Sequence, residues 1–281
     1  MRWISELDEM RTQVRAWQAK GERVGVVPTM GNLHDGHMAL VRQAKSECER
    51  VVVTLFVNPL QFGVNEDFSK YPRTPQRDRE LCEQAGVDAI FAPSAESMYP
   101  KNSKTIVQVR EIEEPLCGQS RPGHFVGVAT VVAKLFHIVP ADFAYFGLKD
   151  YQQTRIIKRM VEDLNFPITL RLCPTIREPD GLAMSSRNAY LDPQERQQAT
   201  VLNRALDLAE KLVKEGTRDT AVIRQAMLEL IDSQPLAKVD YVEFVDAETL
   251  SPASKVEGPL LAAVAVRFRS ARLIDNRVLS P

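Results

Sequence analysis

Two of the chain's four histidines, His34 and His37, sit three residues apart in the stretch Pro28-Thr29-Met30-Gly31-Asn32-Leu33-His34-Asp35-Gly36-His37. Residues three apart share one helix face, so the two imidazoles can address the same ligand. The stretch follows the apolar run Val24–Val27, which reads as a buried strand. It precedes Met38-Ala39-Leu40-Val41, which reads as the start of a helix. A helix N-terminus offers unpaired N–H groups and a partial positive charge, a combination that favours phosphate. Gly36, between the histidines, leaves room for close backbone approach. Met30, Gly31, Asn32, Leu33, His34, Asp35, Gly36 and His37 are therefore candidate nucleotide contacts; a solvated polar loop is the plainer alternative.

Three later segments carry compatible chemistry. Phe56-Val57-Asn58-Pro59-Leu60-Gln61-Phe62-Gly63 leaves an apolar run and presents side-chain amides, which donate and accept together and suit a polyol or hydroxy acid. Gly147-Leu148-Lys149-Asp150-Tyr151-Gln152-Gln153 opens a helix, with Lys149 placed to meet phosphate, Asp150 as N-cap and Gln153 one turn inward. Met184-Ser185-Ser186-Arg187-Asn188 ends a Gly-containing connector. Its two hydroxyls and guanidinium can close over a triphosphate and stabilise developing charge. Arg121-Pro122-Gly123-His124 is a weaker polar turn before a helix.

These groups must be held by a fold, and the chain alternates strand and helix patterns. Helices are expected at Ile4–Gln18, His37–Cys48, Pro75–Ala85, Gly127–Ile138 and Asp150–Leu164. Strands are expected at Val24–Val27, Val51–Val57, Asp88–Phe91, Phe143–Phe146 and Thr169–Ile176. The reading is an α/β, Rossmann-like doubly wound parallel sheet, whose ligands collect beyond the carboxyl ends of its strands. Past about residue 176 the texture changes. Two helices, Pro193–Glu215 and Thr220–Ser233, and strands at Val239–Val245, Leu260–Phe268 and Arg272–Asn276 imply a second, smaller α+β C-terminal domain. The expected division is 1–176, binding nucleotide and substrate, and 177–281, a lid.

With 281 residues, 44% apolar and 26% charged, the chain has the composition of an ordinary globular protein. A formal net charge of −1 gives no global pull toward nucleic acid or anionic membrane. No apolar run reaches membrane-spanning length, and Met1-Arg2-Trp3-Ile4-Ser5-Glu6 lacks a signal-peptide core. Four scattered cysteines, with no pair at metal-ligand spacing, favour reduced thiols and a cytoplasmic protein.

Taken in order, Pro28–His37, Phe56–Gly63, Tyr71-Pro72-Arg73-Thr74, Arg121–Gly127, Phe146–Gln153, Ile176–Asn188 and Ala271-Arg272-Leu273-Ile274-Asp275-Asn276 resemble the pantothenate synthetase family across nearly the whole chain. The histidine pair also resembles the signature of the wider nucleotidyltransferase superfamily. The resemblance implies ATP-dependent condensation of (R)-pantoate with β-alanine to pantothenate, AMP and pyrophosphate by way of pantoyl adenylate, in a magnesium-dependent cytoplasmic homodimer. It implies that His34 and His37 hold phosphate oxygens, and that Lys149, Ser185, Ser186 and Arg187 neutralise the departing pyrophosphate. Gly147, Leu148, Lys149, Asp150, Ile176 and Met184 would receive nucleotide. Gln61, Gln153 and Met30 would hold pantoate, with Tyr71 and Arg121 near β-alanine. The chain departs from the pattern at Leu148, where a polar or acidic residue is common, and at Leu60, where methionine is common; neither position is expected to perform chemistry. No carboxylate cage for Mg²⁺ is apparent, so the ion is expected to ride on the triphosphate. Two other classes fit the same residues: a nucleotidyltransferase releasing an adenylylated product, and a non-catalytic nucleotide sensor.

Overall fold

A computed structural model describes residues 1–63 and 66–281 and divides into two compact units. The first comprises Met1–Glu113, Arg121–Leu148 and Gln153–Pro174; the second comprises Glu114–Ser120, Lys149–Gln152 and Thr175–Pro281. Two short segments from before residue 153 thus group with the C-terminal portion. One of them carries Lys149.

In chain order the elements are β1 (Arg2–Ile4), α1 (Leu7–Gln18), β2 (Val24–Thr29), α2 (Asp35–Glu47), β3 (Arg50–Leu55), α3 (Pro75–Gln84), β4 (Ala89–Phe91) and α4 (Ala95–Met98). There follow α5 (Cys117–Ser120), α6 (His124–Ile138), β5 (Phe143–Gly147), α7 (Tyr151–Asp163) and β6 (Thr169–Cys173). Strands β1 to β6 form one parallel sheet in the order β1-β4-β3-β2-β5-β6. Central strands β2 and β3 are apolar and fully buried over Val24–Val27 and Val51–Val53, as a sheet covered on both faces requires. Helix α1 buries Met10, Val14 and Trp17 along one stripe, whereas α6 is buried nearly all round.

The strand order reverses between β2 and β5, the place where such sheets bind ligands. Strand β2 pairs with β3 from Val24 to Thr29, but its ladder with β5 is Gly25↔Phe143 and Val26↔Ala144. The ladder therefore stops while β2 runs on to Thr29 and β5 to Gly147. The histidine segment leaves the end of β2, and Leu148 and Lys149 follow the end of β5.

Several boundaries differ from expectation for local reasons. Helix α2 begins at Asp35 rather than His37 because His34 caps it. Strand β6 ends at Cys173 rather than Ile176; Pro174 has no N–H to continue the ladder. Helix α1 starts at Leu7, and Arg2–Ile4 instead pairs in parallel with Ala89–Phe91, a strand too short to show a period.

In the second unit the expected helix Pro193–Glu215 is two, α8 (Pro193–Ala199) and α9 (Val201–Lys214). At the joint the Thr200 hydroxyl donates to the Gln197 carbonyl (2.9 Å), a local bond that competes with the helical ladder. These precede α10 (Thr220–Asp232) and the antiparallel strands β7 (Lys238–Asp246), β8 (Leu260–Arg267) and β9 (Arg272–Leu279). One sheet face, with Val242, Phe244, Leu260, Ala262, Val264 and Leu273, joins the apolar stripes of α9 and α10 in a single core. The opposite face meets the two early segments: the Tyr241 hydroxyl lies 3.2 Å from Cys117 Sγ, and Arg272 donates to Ser120 Oγ (3.0 Å). Among the described residues no helix is long and apolar enough to cross a membrane.

Gly127 is where the first unit tolerates no side chain. A Cβ there would stand 2.2 Å from the Leu60 carbonyl oxygen, because α6 packs directly against the 3₁₀ turn Pro59–Gln61. Replacing Gly127 with alanine is expected to cost about 1–3 kcal/mol by overpacking. It should lower the melting temperature and displace Gln61; an unchanged melting curve would contradict this packing.

Candidate active site

The first turn of α2 is capped by its own histidines. His34, in extended conformation at the N-cap, accepts the Gly36 N–H at Nδ1 (3.1 Å), and the His34 N–H donates to His37 Nδ1 (3.4 Å). This is a capping box built from two imidazoles in place of the usual Ser/Thr and Glu. The rings lie against each other with centroids 4.0 Å apart and planes inclined by 35°. Since both Nδ1 atoms accept, the neutral rings carry their proton on Nε2. The cap therefore orients two N–H donors at a helix N-terminus, an arrangement suited to phosphate oxygens.

The turn before His34 is held from α3. Gly31 and Asn32 both take left-handed backbone angles, φ 81° and 49°, so this turn has to be fixed by something outside itself. The carboxylate of Asp78, 2% exposed, accepts the N–H of Asn32 (2.9 Å) and of Leu33 (2.8 Å), and the Thr74 hydroxyl (3.1 Å). On the β2 side, Thr29 Oγ1 accepts the Gly31 N–H (3.1 Å) while donating to the Thr54 carbonyl (2.6 Å). Sequence reasoning missed Asp78. The signal was its place four residues before Cys82: these two are the buried residues of an otherwise polar α3.

Met30 and Gln61, expected in one pocket, are in contact: Gln61 Nε2 donates to Met30 Sδ (2.8 Å). Asn58, 1% exposed, supports them. Its Nδ2 donates to Gln61 Oε1 (3.2 Å) and to the Gly127 carbonyl (3.0 Å), and its Oδ1 accepts from the Tyr99 hydroxyl (2.9 Å). Burial pushes the Tyr99 phenol well above its ordinary range, which keeps it a donor. Arg121 also converges on Gln61, through the Gln61 carbonyl (3.2 Å), and forms a forked pair with Glu66 (2.6 Å to each oxygen). Burial raises the Glu66 carboxyl, but the Arg121 hydrogen bonds and charge outweigh it and leave the group below its usual value. His124 donates from Nδ1 to the same Gln61 carbonyl (2.8 Å) and so presents Nε2 to Arg121 (2.9 Å). Arg121 is thus committed to bracing Gln61. Tyr71 is buried and edge-on to Phe62, and Gln153 lies half-buried on the first turn of α7.

In the second unit Lys149 and Asp150 end a 3₁₀ turn, their charges 3.9 Å apart, immediately before α7. Leu148, which ends the Arg121–Leu148 segment of the first unit, and Gly147 are half-buried. Ile176 accepts the Met184 N–H (2.9 Å), closing a small hairpin. The segment after it is a capped 3₁₀ turn, Ser186–Tyr190. Ser185 Oγ accepts the Arg187 N–H (3.2 Å), and Asn188 is tied to Glu178 (2.7 Å) and to the Ala183 carbonyl (3.1 Å).

Replacing Asp78 with alanine would strand the buried Leu33 N–H group, at about 1–3 kcal/mol, and release the half-buried Asn32 N–H. Turnover is expected to fall by about 10² because His34 loses its seat, a cost typical of misplacement by roughly 1 Å. Asp78→Asn should recover part of it, since one acceptor remains. Steady-state kinetics and thermal melts on both variants check this; normal turnover in Asp78→Ala would contradict it.

The pantoate-beta-alanine ligase family model matches residues 2–278. Pantothenate synthetase of Heliobacterium modesticaldum is 54% identical over 279 residues, 99% of each chain. The crystal structure of pantothenate synthetase from Thermus thermophilus aligns over 100% of both chains with a TM-score of 0.95 and 48% identity. That of pantoate-beta-alanine ligase from Francisella tularensis, complexed with beta-gamma ATP and beta-alanine, aligns over 99% of this chain and 97% of that one, with a TM-score of 0.82 and 32% identity. Histidine cap, switch-point sheet and whole-length likeness agree: the chain belongs to the pantoate-beta-alanine ligase, or pantothenate synthetase, family.

Proposed function

We propose that the protein joins (R)-pantoate to β-alanine at the expense of ATP. A pantoate carboxylate oxygen attacks the α-phosphorus and the bond to the bridging β-oxygen breaks, releasing pyrophosphate and leaving pantoyl adenylate. The β-alanine amine then attacks the acyl carbon, AMP leaves, and the nitrogen loses its proton. No enzyme nucleophile is required, because AMP activates the acyl group.

The observation that carries this reading is the two-histidine cap at the carboxyl end of β2. In it, the Nε2–H groups of His34 and His37 bind phosphate oxygens and stabilise the charge that grows as the α-phosphorus becomes five-coordinate. Lys149, Ser185, Ser186 and Arg187 take the departing pyrophosphate. Gly31 to Gly36, Gly147, Leu148, Asp150, Ile176 and Met184 receive the nucleotide. The amides of Gln61 and Gln153 bond pantoate hydroxyls, with Met30 against the pantoate carbon chain and Tyr71 and Arg121 shaping the β-alanine end. The division of labour at about residue 176 follows: nucleotide and pantoate on the N-terminal portion, a closing lid on the C-terminal portion. Mg²⁺ enters on the ATP phosphates, whose oxygens it prefers, and no step is routed through it. The active form is a homodimer. Its compartment is the cytoplasm, a reading supported by four free, buried thiols at Cys48, Cys82, Cys117 and Cys173.

Pyrophosphate release is the direct test. It is expected with ATP and pantoate alone, with AMP and pantothenate following only when β-alanine is added. His34→Ala and His37→Ala should each slow it by roughly 10²–10³. No release at any pantoate concentration, or a stable adenylylated product that β-alanine leaves intact, would overturn the reading.

A further inference from the structure

The terminal motif Ala271–Asn276 has no part in the chemistry above, yet β9 places two of its residues where both phosphate-binding segments of the second unit begin. Asp275 and Asn276 are adjacent on the strand and so face opposite sides of the sheet. Asp275 pairs with Val264 on the apolar face under α9 and α10, where it is 2% exposed. An unpaired carboxylate is not tolerated there. Arg177 meets it as a fork, Nη1 to Oδ2 at 2.6 Å and Nη2 to Oδ1 at 3.0 Å. Arg177 Nη1 also donates to the Gly181 carbonyl (3.1 Å), and Arg177 bridges Ala183 in antiparallel fashion. The Glu178 N–H bonds the Leu182 carbonyl (2.8 Å), completing a hairpin that runs directly into Met184–Arg187. On the other face, Asn276 pairs with Ala263, and its Nδ2 donates to the Lys149 carbonyl (2.7 Å).

We infer that Asp275 and Asn276 are positioning residues for the reaction: through one rigid strand they fix, within the second unit, the main chain that carries Lys149 and the main chain that carries Ser185–Arg187. The inference rests on the pyrophosphate role proposed for Lys149 and Arg187. It goes further by assigning their mutual placement to β9.

Double-mutant cycles on pyrophosphate release from ATP and pantoate test it. Asn276→Ala is expected to lower kcat about tenfold, the worth of one supporting hydrogen bond, with little change in melting temperature. In a Lys149→Ala background the same change should have no further effect, because Asn276 acts through Lys149. Asp275→Asn is expected to couple to Arg187→Ala in the same way. If Asp275→Asn melts early, Arg177→Lys serves that arm, since it keeps the charge and loses the fork. Additive effects in both cycles, or an unchanged rate in Asn276→Ala, would overturn the inference while leaving the phosphate roles intact. A wild-type rate in Lys149→Ala would overturn the role of Lys149 and the inference with it.

Discussion

The cap in which His34 takes the Gly36 N–H and gives its own N–H to His37 sets the terms for the rest of the site. A helix end needs its first N–H groups satisfied, and a capping side chain normally spends its acceptor on that task alone. An imidazole differs in having a second nitrogen on the far side of the ring. Using Nδ1 for the cap therefore determines which nitrogen holds the proton, and that nitrogen is Nε2. Helix start, ring orientation and tautomer are one interaction, and a pair of N–H donors of the kind that suits phosphate is its product.

Such a pair is useful only if it stands where a nucleotide can reach it. The sheet supplies the place by ending the β2–β5 ladder at Val26↔Ala144. Asp78 supplies the angle by holding, from α3, a turn with two left-handed residues that Thr29 alone ties locally. Around Gln61 the same logic recurs with neutral groups. Asn58, Gly127, Arg121 and His124 each satisfy a hydrogen bond there, and Glu66 absorbs the arginine's charge. The guanidinium of Arg121 thus works as a brace, neutralised in place.

Much of this was legible in the residues because local rules governed it. The histidine spacing, the β-branched runs of β2 and β3 and the strand–helix alternation announce the switch-point sheet directly. What stayed hidden depends on long-range pairing. Strand β1 exists because Ala89–Phe91 offers it an edge, and no three residues reveal that alone. Asp78 reads as one more charge on a polar helix until Asn32 and Leu33, 46 and 45 residues away, present their N–H groups to it. Likewise Lys149–Gln152 and Glu114–Ser120 group with the C-terminal portion because of tertiary contacts, for which neither segment carries a composition signal.

The account's central claim concerns two protons, and imidazole ¹⁵N NMR observes them. Long-range ¹H–¹⁵N spectra of the labelled protein should show both His34 and His37 as Nε2–H tautomers, with both Nε2 signals shifting when a non-hydrolysable ATP analogue is added. Either ring in the Nδ1–H form, or Nε2 signals that stay fixed at saturating analogue, would contradict it.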